Sequence, residues 1–241
     1  MEMNDFIVKL RGGFKENSVD ELLDEKKEIL LFELYCELVN TNKITNLTAI
    51  TEPDAVILKH FVDCATVCEH IVHGSKVIDV GCGAGFPSLP LAILREDVSV
   101  LSLDSTGKKI DFVKSTAKKL DISNIDAVCG RAEDFVADNR EGFDVCVSRA
   151  VARLNVLSEI CIPLVKVGGL FVAMKSNKGE EEYRESSAGI KKLGCLFAKM
   201  QNYNLSFAGE EIAREIYVFA KNSKTPDQYP RKYSQILKKP L

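Results

Sequence analysis

The 241-residue sequence contains no apolar run long enough to cross a bilayer, and Met1-Glu2-Met3-Asn4-Asp5 is neither basic nor part of a long apolar segment. A soluble, cytoplasmic protein with no membrane partner is therefore expected. The phosphate-loop signature, the G-x-S-x-G nucleophile elbow and the H-E-x-x-H zinc motif are all missing, which removes three common routes to hydrolysis. There are only three histidines. His70 and His73 suggest no metal site, and composition alone favours a structural role for His60. Cys64 and Cys68 lie close together, but their C-x-x-x-C spacing has no second ligand pair. Most of the other cysteines sit in apolar runs, so free buried thiols in a reducing compartment are expected and a metal is not. No internal repeat is present. Charge is nearly balanced at a net -3. That total excludes no nucleic-acid partner, because local charge decides binding. With 46% hydrophobic residues, one medium domain with its own core is expected, extended by a smaller segment.

What is present centres on Lys76-Val77-Ile78-Asp79-Val80-Gly81-Cys82-Gly83-Ala84-Gly85-Phe86-Pro87. Val77 to Val80 reads as a buried strand. The glycines allow a sharp turn and let a ligand lie against bare backbone. Ser88 to Leu94 then opens a helix. This strand, glycine turn and helix form a nucleotide-type site at the carboxyl end of a parallel strand. The spacing is G-x-G-x-G, not the G-x-G-x-x-G of dinucleotide enzymes. With Asp79 before the turn and Asp104 after the next strand, S-adenosyl-L-methionine (SAM) fits best. A dinucleotide and a purely structural turn are the alternatives.

The rest of the chain alternates helix and strand. Residues 1 to 18 are mixed, and Arg11-Gly12-Gly13 is expected to break any helix. Asp20 to Val39 is an amphipathic helix whose apolar face should pack on the main domain. Asn40 to Thr48 reads as a turn, and a second helix begins near Pro53. After the glycine turn, Val98 to Leu103 is a strand closed by Asp104. An acid there can accept from ribose hydroxyls or cap the helix that follows, and both can hold. A third strand ends at Cys129. The following Gly130-Arg131-Ala132-Glu133-Asp134 carries adenine contacts or is a surface turn. Phe143 to Val147 is the fourth strand, and Arg149 at its end serves a ligand or an ion pair. Leu170 to Met174 is the fifth, closed by Lys175. Two final strands, Tyr203 to Phe207 and Glu215 to Ala220, precede a basic, proline-marked tail. That tail either solubilises the end or follows a phosphate backbone. The pattern predicts an α/β, Rossmann-like fold with a seven-strand, mostly parallel sheet. Residues 1–70 form a helical extension and 71–241 the main domain.

Several segments, in order, resemble one family: Asn46-Leu47-Thr48-Ala49-Ile50, Lys59-His60-Phe61-Val62-Asp63, and Asp79 through Leu91. Leu103-Asp104-Ser105, Lys108-Lys109, Arg131-Ala132-Glu133, Ser148 through Ala152, Met174-Lys175 and Thr225-Pro226-x-x-Tyr229-Pro230-Arg231-Lys232 continue the series. The chain resembles the bacterial 16S rRNA guanine-N7 methyltransferases, RsmG or GidB. The resemblance implies a class I methyltransferase fold, SAM as cofactor, and 16S rRNA or the small ribosomal subunit, an assembly intermediate included, as partner. It implies SAM contacts from Asp79, Gly81, Gly83, Gly85, Phe86, Asp104, Ala132, Glu133 and Arg149, and RNA contacts from Lys175, Arg231 and Lys232. A monomer is expected. Two segments depart from the family pattern. Met-Lys-Gly is here Met174-Lys175-Ser176-Asn177-Lys178-Gly179, and Tyr233-Ser234-Gln235-Ile236-Leu237 replaces a glycine- and proline-marked tail after Lys232.

Guanine N7 carries an in-plane lone pair and needs no deprotonation, so no general base is expected. Alignment is the work, with Arg149 positioning the substrate. Arg149, Lys175, Lys178, Arg231 and Lys232 are expected to meet at the carboxyl end of the sheet. The rival readings are a small-molecule methyltransferase, with a closed neutral pocket, and a noncatalytic RNA-binding protein on the same fold.

Overall fold

The computed structural model describes residues 1–176 and 179–241. Ser176 ends the first stretch, so Lys178 lies outside the described residues. The seven strands are β1 (Lys76–Val80), β2 (Ser99–Asp104), β3 (Ile125–Cys129), β4 (Phe143–Arg149), β5 (Val165–Lys175), β6 (Cys195–Phe207) and β7 (Glu210–Lys221). They form one sheet in the order β3-β2-β1-β4-β5-β7-β6. β1 to β5 pair in parallel, and β7 runs antiparallel between β5 and β6. The strand order reverses between β1 and β4, which opens a crevice beyond their carboxyl ends. Fold class and strand number are as the sequence predicts. β6 is far longer than Tyr203 to Phe207; its added residues extend an edge strand that is mostly exposed and so lacks a buried apolar alternation.

The remaining helices are α1 (Met3–Glu16), α2 (Glu25–Thr45), α3 (Pro53–Val56), α4 (Asp63–Ala65), α5 (Ser88–Leu94), α6 (Gly107–Lys119), α7 (Ala132–Asn139), α8 (Leu154–Cys161), α9 (Gly179–Lys192) and α10 (Tyr233–Lys238). Two expectations near the N-terminus need correction. Arg11-Gly12-Gly13 does not break a helix; it lies within α1. The intrinsic penalty of glycine in a helix is about 1 kcal/mol, and tertiary packing overrides it here. A Cβ on Gly13 would sit 2.7 Å from Ile57 Cγ2, so the bare backbone is what admits the neighbouring helix. Asn40 to Thr45 is not a turn either. α2 runs on to Thr45 and stops at Asn46, whose left-handed φ of 49° suits asparagine.

The helical extension shares a core with one face of the sheet. Phe6, Leu10 and Phe14 of α1 and Leu31, Leu34 and Leu38 of α2 are fully buried in the same apolar cluster as Leu89 of α5 and Val113 of α6. Burying one such side chain contributes about 1.5–3 kcal/mol. Between α3 and α4 the backbone widens into a π-helical stretch, Ile57–Val62. It aims Lys59, His60 and Asp63 at the crevice, a common use of such local widening. All eight cysteines are free; Cys129 is exposed, Cys36 is half-buried and the other six are buried.

Candidate active site

The glycine turn after β1 is held by its neighbour strand. Gly81 and Cys82 donate to the Leu103 carbonyl at 2.7 and 3.1 Å. Gly81 and Gly83 have φ of 75° and 58°, in the left-handed region that glycine adopts with least strain. The two differ in what they face. A Cβ on Gly81 would collide with Val151 at 2.3 Å, whereas one on Gly83 would meet nothing within 4 Å. Gly83 therefore presents bare backbone to open space, and it lines the second cavity described below, not the first.

A cavity of about 340 Å³ lies against this turn, lined by Gly81, Leu103, Asp104, Ala132, Glu133 and Tyr233 among others. Asp104 accepts from Gly83 N at 3.0 Å through one oxygen and from Thr106 N at 2.8 Å through the other. It thus ties the glycine turn to the start of α6. Each carboxylate oxygen has a second lone pair, which is free for a vicinal diol. Ala132 and Glu133 form the first turn of α7, so the segment after β3 is a helix start at the crevice rather than a surface turn. The bare backbone, the part-exposed acid and the wall formed by α7 fit a nucleoside with an attached amino-acid chain, as in SAM.

A second cavity, about 500 Å³, opens beside the first, and Gly81, Lys109 and Ala150 line both. Its walls carry Lys59, Lys109, Arg149, Lys175 and Arg214 against the carboxylates Asp63 and Glu182. Asp63 is buried at 1% exposure between two guanidiniums, accepting from Arg149 at 2.9 Å and from Arg214 Nε at 3.1 Å. Arg149 also donates to the Lys59 carbonyl at 2.9 Å. These partners fix the Arg149 fork against the wall. His60 stacks on Phe86 with centroids 4.2 Å apart, and its Nδ1 lies 3.3 Å from Arg149. A guanidinium only donates, so Nδ1 accepts and Nε2 carries the proton toward Thr48 Oγ1 at 3.3 Å. Burial, with Arg149 beside it, pushes the imidazole down to about 3, so His60 is neutral at ordinary pH. Composition favoured a structural role for His60, and the structure places it in the wall of the second cavity. Arg214 was missed, because its place in β7 lies far along the chain from any motif.

Several residues expected at the ligands sit elsewhere. Asp79 is fully buried beneath the turn, accepting from Ser88 N at 3.1 Å, and lines neither cavity. Burial raises its carboxyl to about 7, offset in part by hydrogen bonds from Ser88. Gly85 lines neither cavity; its missing Cβ leaves room for Leu89, which one would meet at 2.6 Å. Phe86 lines the second cavity and not the first. Arg149 likewise faces the second. Lys175 lies in the second cavity, with its ammonium on Glu182 at 2.7 Å and the Ala152 carbonyl at 2.9 Å. Arg231 does not join this group. Its guanidinium forks onto Glu159, which is fully buried, at 2.8 and 2.5 Å. An uncompensated carboxylate there would be strongly destabilising, so Arg231 anchors the tail. Lys232 is exposed, at the start of α10.

Comparison with known proteins gives the same picture. The fold is shared with YcgJ from Bacillus, at a TM-score of 0.52 and 14% identity over 68% of this chain and 100% of that one. It is shared too with Pyrococcus horikoshii TYW2, solved in complex with MeSAdo, at 0.54 and 14% over 67% and 62%. The chain is 44% identical to ribosomal RNA small subunit methyltransferase G of Staphylococcus carnosus over 226 residues, covering 91% of this chain and 92% of that one. It is 40% identical to the protein of the same name from Desulforamulus reducens, over 99% and 100%. Residues 28–215 match the profile of the GidB family, rRNA small subunit methyltransferase G, and with relatives matched along nearly their full length this chain belongs to that family.

Proposed function

We propose that the first cavity holds SAM and the second the guanosine of 16S rRNA whose N7 is methylated. Membership of the family makes the chain a SAM-dependent small-subunit rRNA methyltransferase; the residue roles are the proposal. When bound, SAM supplies an electrophilic methyl group. Asp104 would hold its ribose, Ala132 and Glu133 would border the adenine, and its amino-acid end would pass the junction at Gly81 toward the bare backbone of Gly83 in the second cavity.

The observation that carries the reading is the junction of the cavities at Gly81, Lys109 and Ala150. A donor held in one cavity and an acceptor in the other would meet there. The second cavity carries five cationic side chains and two carboxylates. That balance suits a nucleotide with its phosphates better than a neutral small molecule. Arg149 is a positioning residue for the guanine edge or its phosphate, because its geometry is fixed by Asp63 and Lys59 before substrate arrives. No group here has to remove a proton from N7. His60, neutral and with Nδ1 engaged by Arg149, would be a poor base.

Arg149→Ala and Arg149→Lys test this division. Lysine keeps the charge but loses the planar fork. Both variants should lose methyl transfer by about 100-fold or more, the penalty for a substrate held out of line. SAM affinity measured by calorimetry should stay near wild type. An equal loss of cofactor binding would move Arg149 to the first cavity.

A further inference from the structure

The last turn of the chain reaches the cofactor side of the crevice. Tyr233, the first residue of α10, lines the first cavity with Leu103, Arg131, Ala132, Glu133 and Ile160. The Arg131 guanidinium lies over the Tyr233 ring, 5.4 Å from its centroid. The ring is half-buried against the apolar cluster beneath α8. Arg131 is the residue that precedes α7, so Tyr233 borders the α7 side of this cavity. Three contacts fix the tail in that place. Arg231 forks onto buried Glu159 of α8, and its guanidinium also donates to the Lys239 carbonyl at 3.0 Å. Ile236 is fully buried in the cluster that contains Leu157 and Ile160. Leu241 packs so closely on α9 that a Cβ on Gly189 would meet it at 2.6 Å.

We infer that the carboxyl-terminal tail is part of the cofactor site: the Tyr233 ring is a wall against which the purine of the adenosyl group packs, and the Arg231–Glu159 pair holds that wall in place. This rests on the reading of the first cavity as the adenosyl site. Stacking on an aromatic ring is indifferent to the base but needs the ring held flat, and the docked tail supplies that. Tyr233 is a binding residue in this account, and Arg231 acts through it.

Calorimetric titration of the full-length protein with SAM tests the inference, with the melting temperature as the check on folding. Tyr233→Ala should weaken binding by about 10-fold, the size of one base–aromatic contact, and Tyr233→Phe should bind as wild type does. Arg231→Lys should weaken binding in the same direction, and adding it to Tyr233→Ala should produce no further loss. Independent structural damage would instead add. Asp104→Ala separates the two layers of the argument. If Asp104→Ala weakens binding while folded Tyr233→Ala does not, the tail has no part in the cofactor site and the inference fails, with the adenosyl reading intact. If neither variant changes affinity, the cavity is not the adenosyl site and both readings fall together.

Discussion

The two cavities are built in different ways from the same strand ends. The first is lined by Gly81 at the start of the glycine turn, the acid closing the next strand, the first turn of α7, and Tyr233 from the tail. The second takes the rest of the glycine turn, Cys82 to Ala84, and adds side chains that come together only on folding. Arg149 arrives from β4, Arg214 from β7, His60 and Asp63 from the helical extension, and Phe86 from the turn. Two buried carboxylates of the crevice wall and floor differ as well. Asp63 sits between two guanidiniums, whereas Asp79 has no ion-pair partner among the described residues. The first region is thus fixed by conformation and the second by charge pairing across elements. A site of the second kind depends on the extension, because α4 supplies the carboxylate that orients the catalytic-side arginine.

The contrast can be broken most sharply at Gly83. Valine there would be strained at φ 58° and would project into the space left for the ligand. Gly83→Val should abolish measurable SAM binding while the protein stays folded, and undiminished binding would remove the turn from the site. A smaller effect is expected at Asp104, where Asp104→Ala should weaken SAM binding by about 1.5–3 kcal/mol, as for hydrogen bonds to a charged group. Calorimetry reads this directly, and equal affinities would reject the ribose assignment. Neither change should alter the Arg149–Asp63–Arg214 cluster.

The smallest effect concerns pH. The Asp79 carboxyl is raised by burial from its ordinary 3.8 to about 7. The folded state therefore holds this proton more tightly than the unfolded chain does. Its contribution is fully present below about pH 4 and is lost as pH rises through about 7. Asp79→Asn, which keeps an acceptor for Ser88 N, should flatten the stability profile of the ligand-free protein between those values. Chemical denaturation at a series of pH values checks it; a wild-type profile without that fall would contradict the buried, unpaired assignment.

The first region was legible in the sequence because its determinants are local. Gly81 and Asp104 can be placed from strand ends alone, and the strand alternation predicts the sheet. The second was legible only in part. Arg149 stands at a strand end, but nothing near Arg214 marks it as a partner of Asp63, 151 positions away. Glycines misled at Gly12-Gly13, where close packing on Ile57 outweighs helix propensity. Arg231 misled too, since its buried acid Glu159 lies 72 positions upstream within an apolar helix. A basic residue in a tail reads as a phosphate contact until its carboxylate is seen.

The central claim, that the paired cavities join a methyl donor to guanine N7, is tested most directly on the RNA product. Labelled SAM would be incubated with the protein and small ribosomal subunits from a strain lacking the activity, with naked 16S rRNA in parallel, and the label located by mass spectrometry of nuclease digests. The account predicts N7-methylguanosine at a single 16S rRNA site, lost with Arg149→Ala. Label on another base atom, or only in a small metabolite, would contradict it.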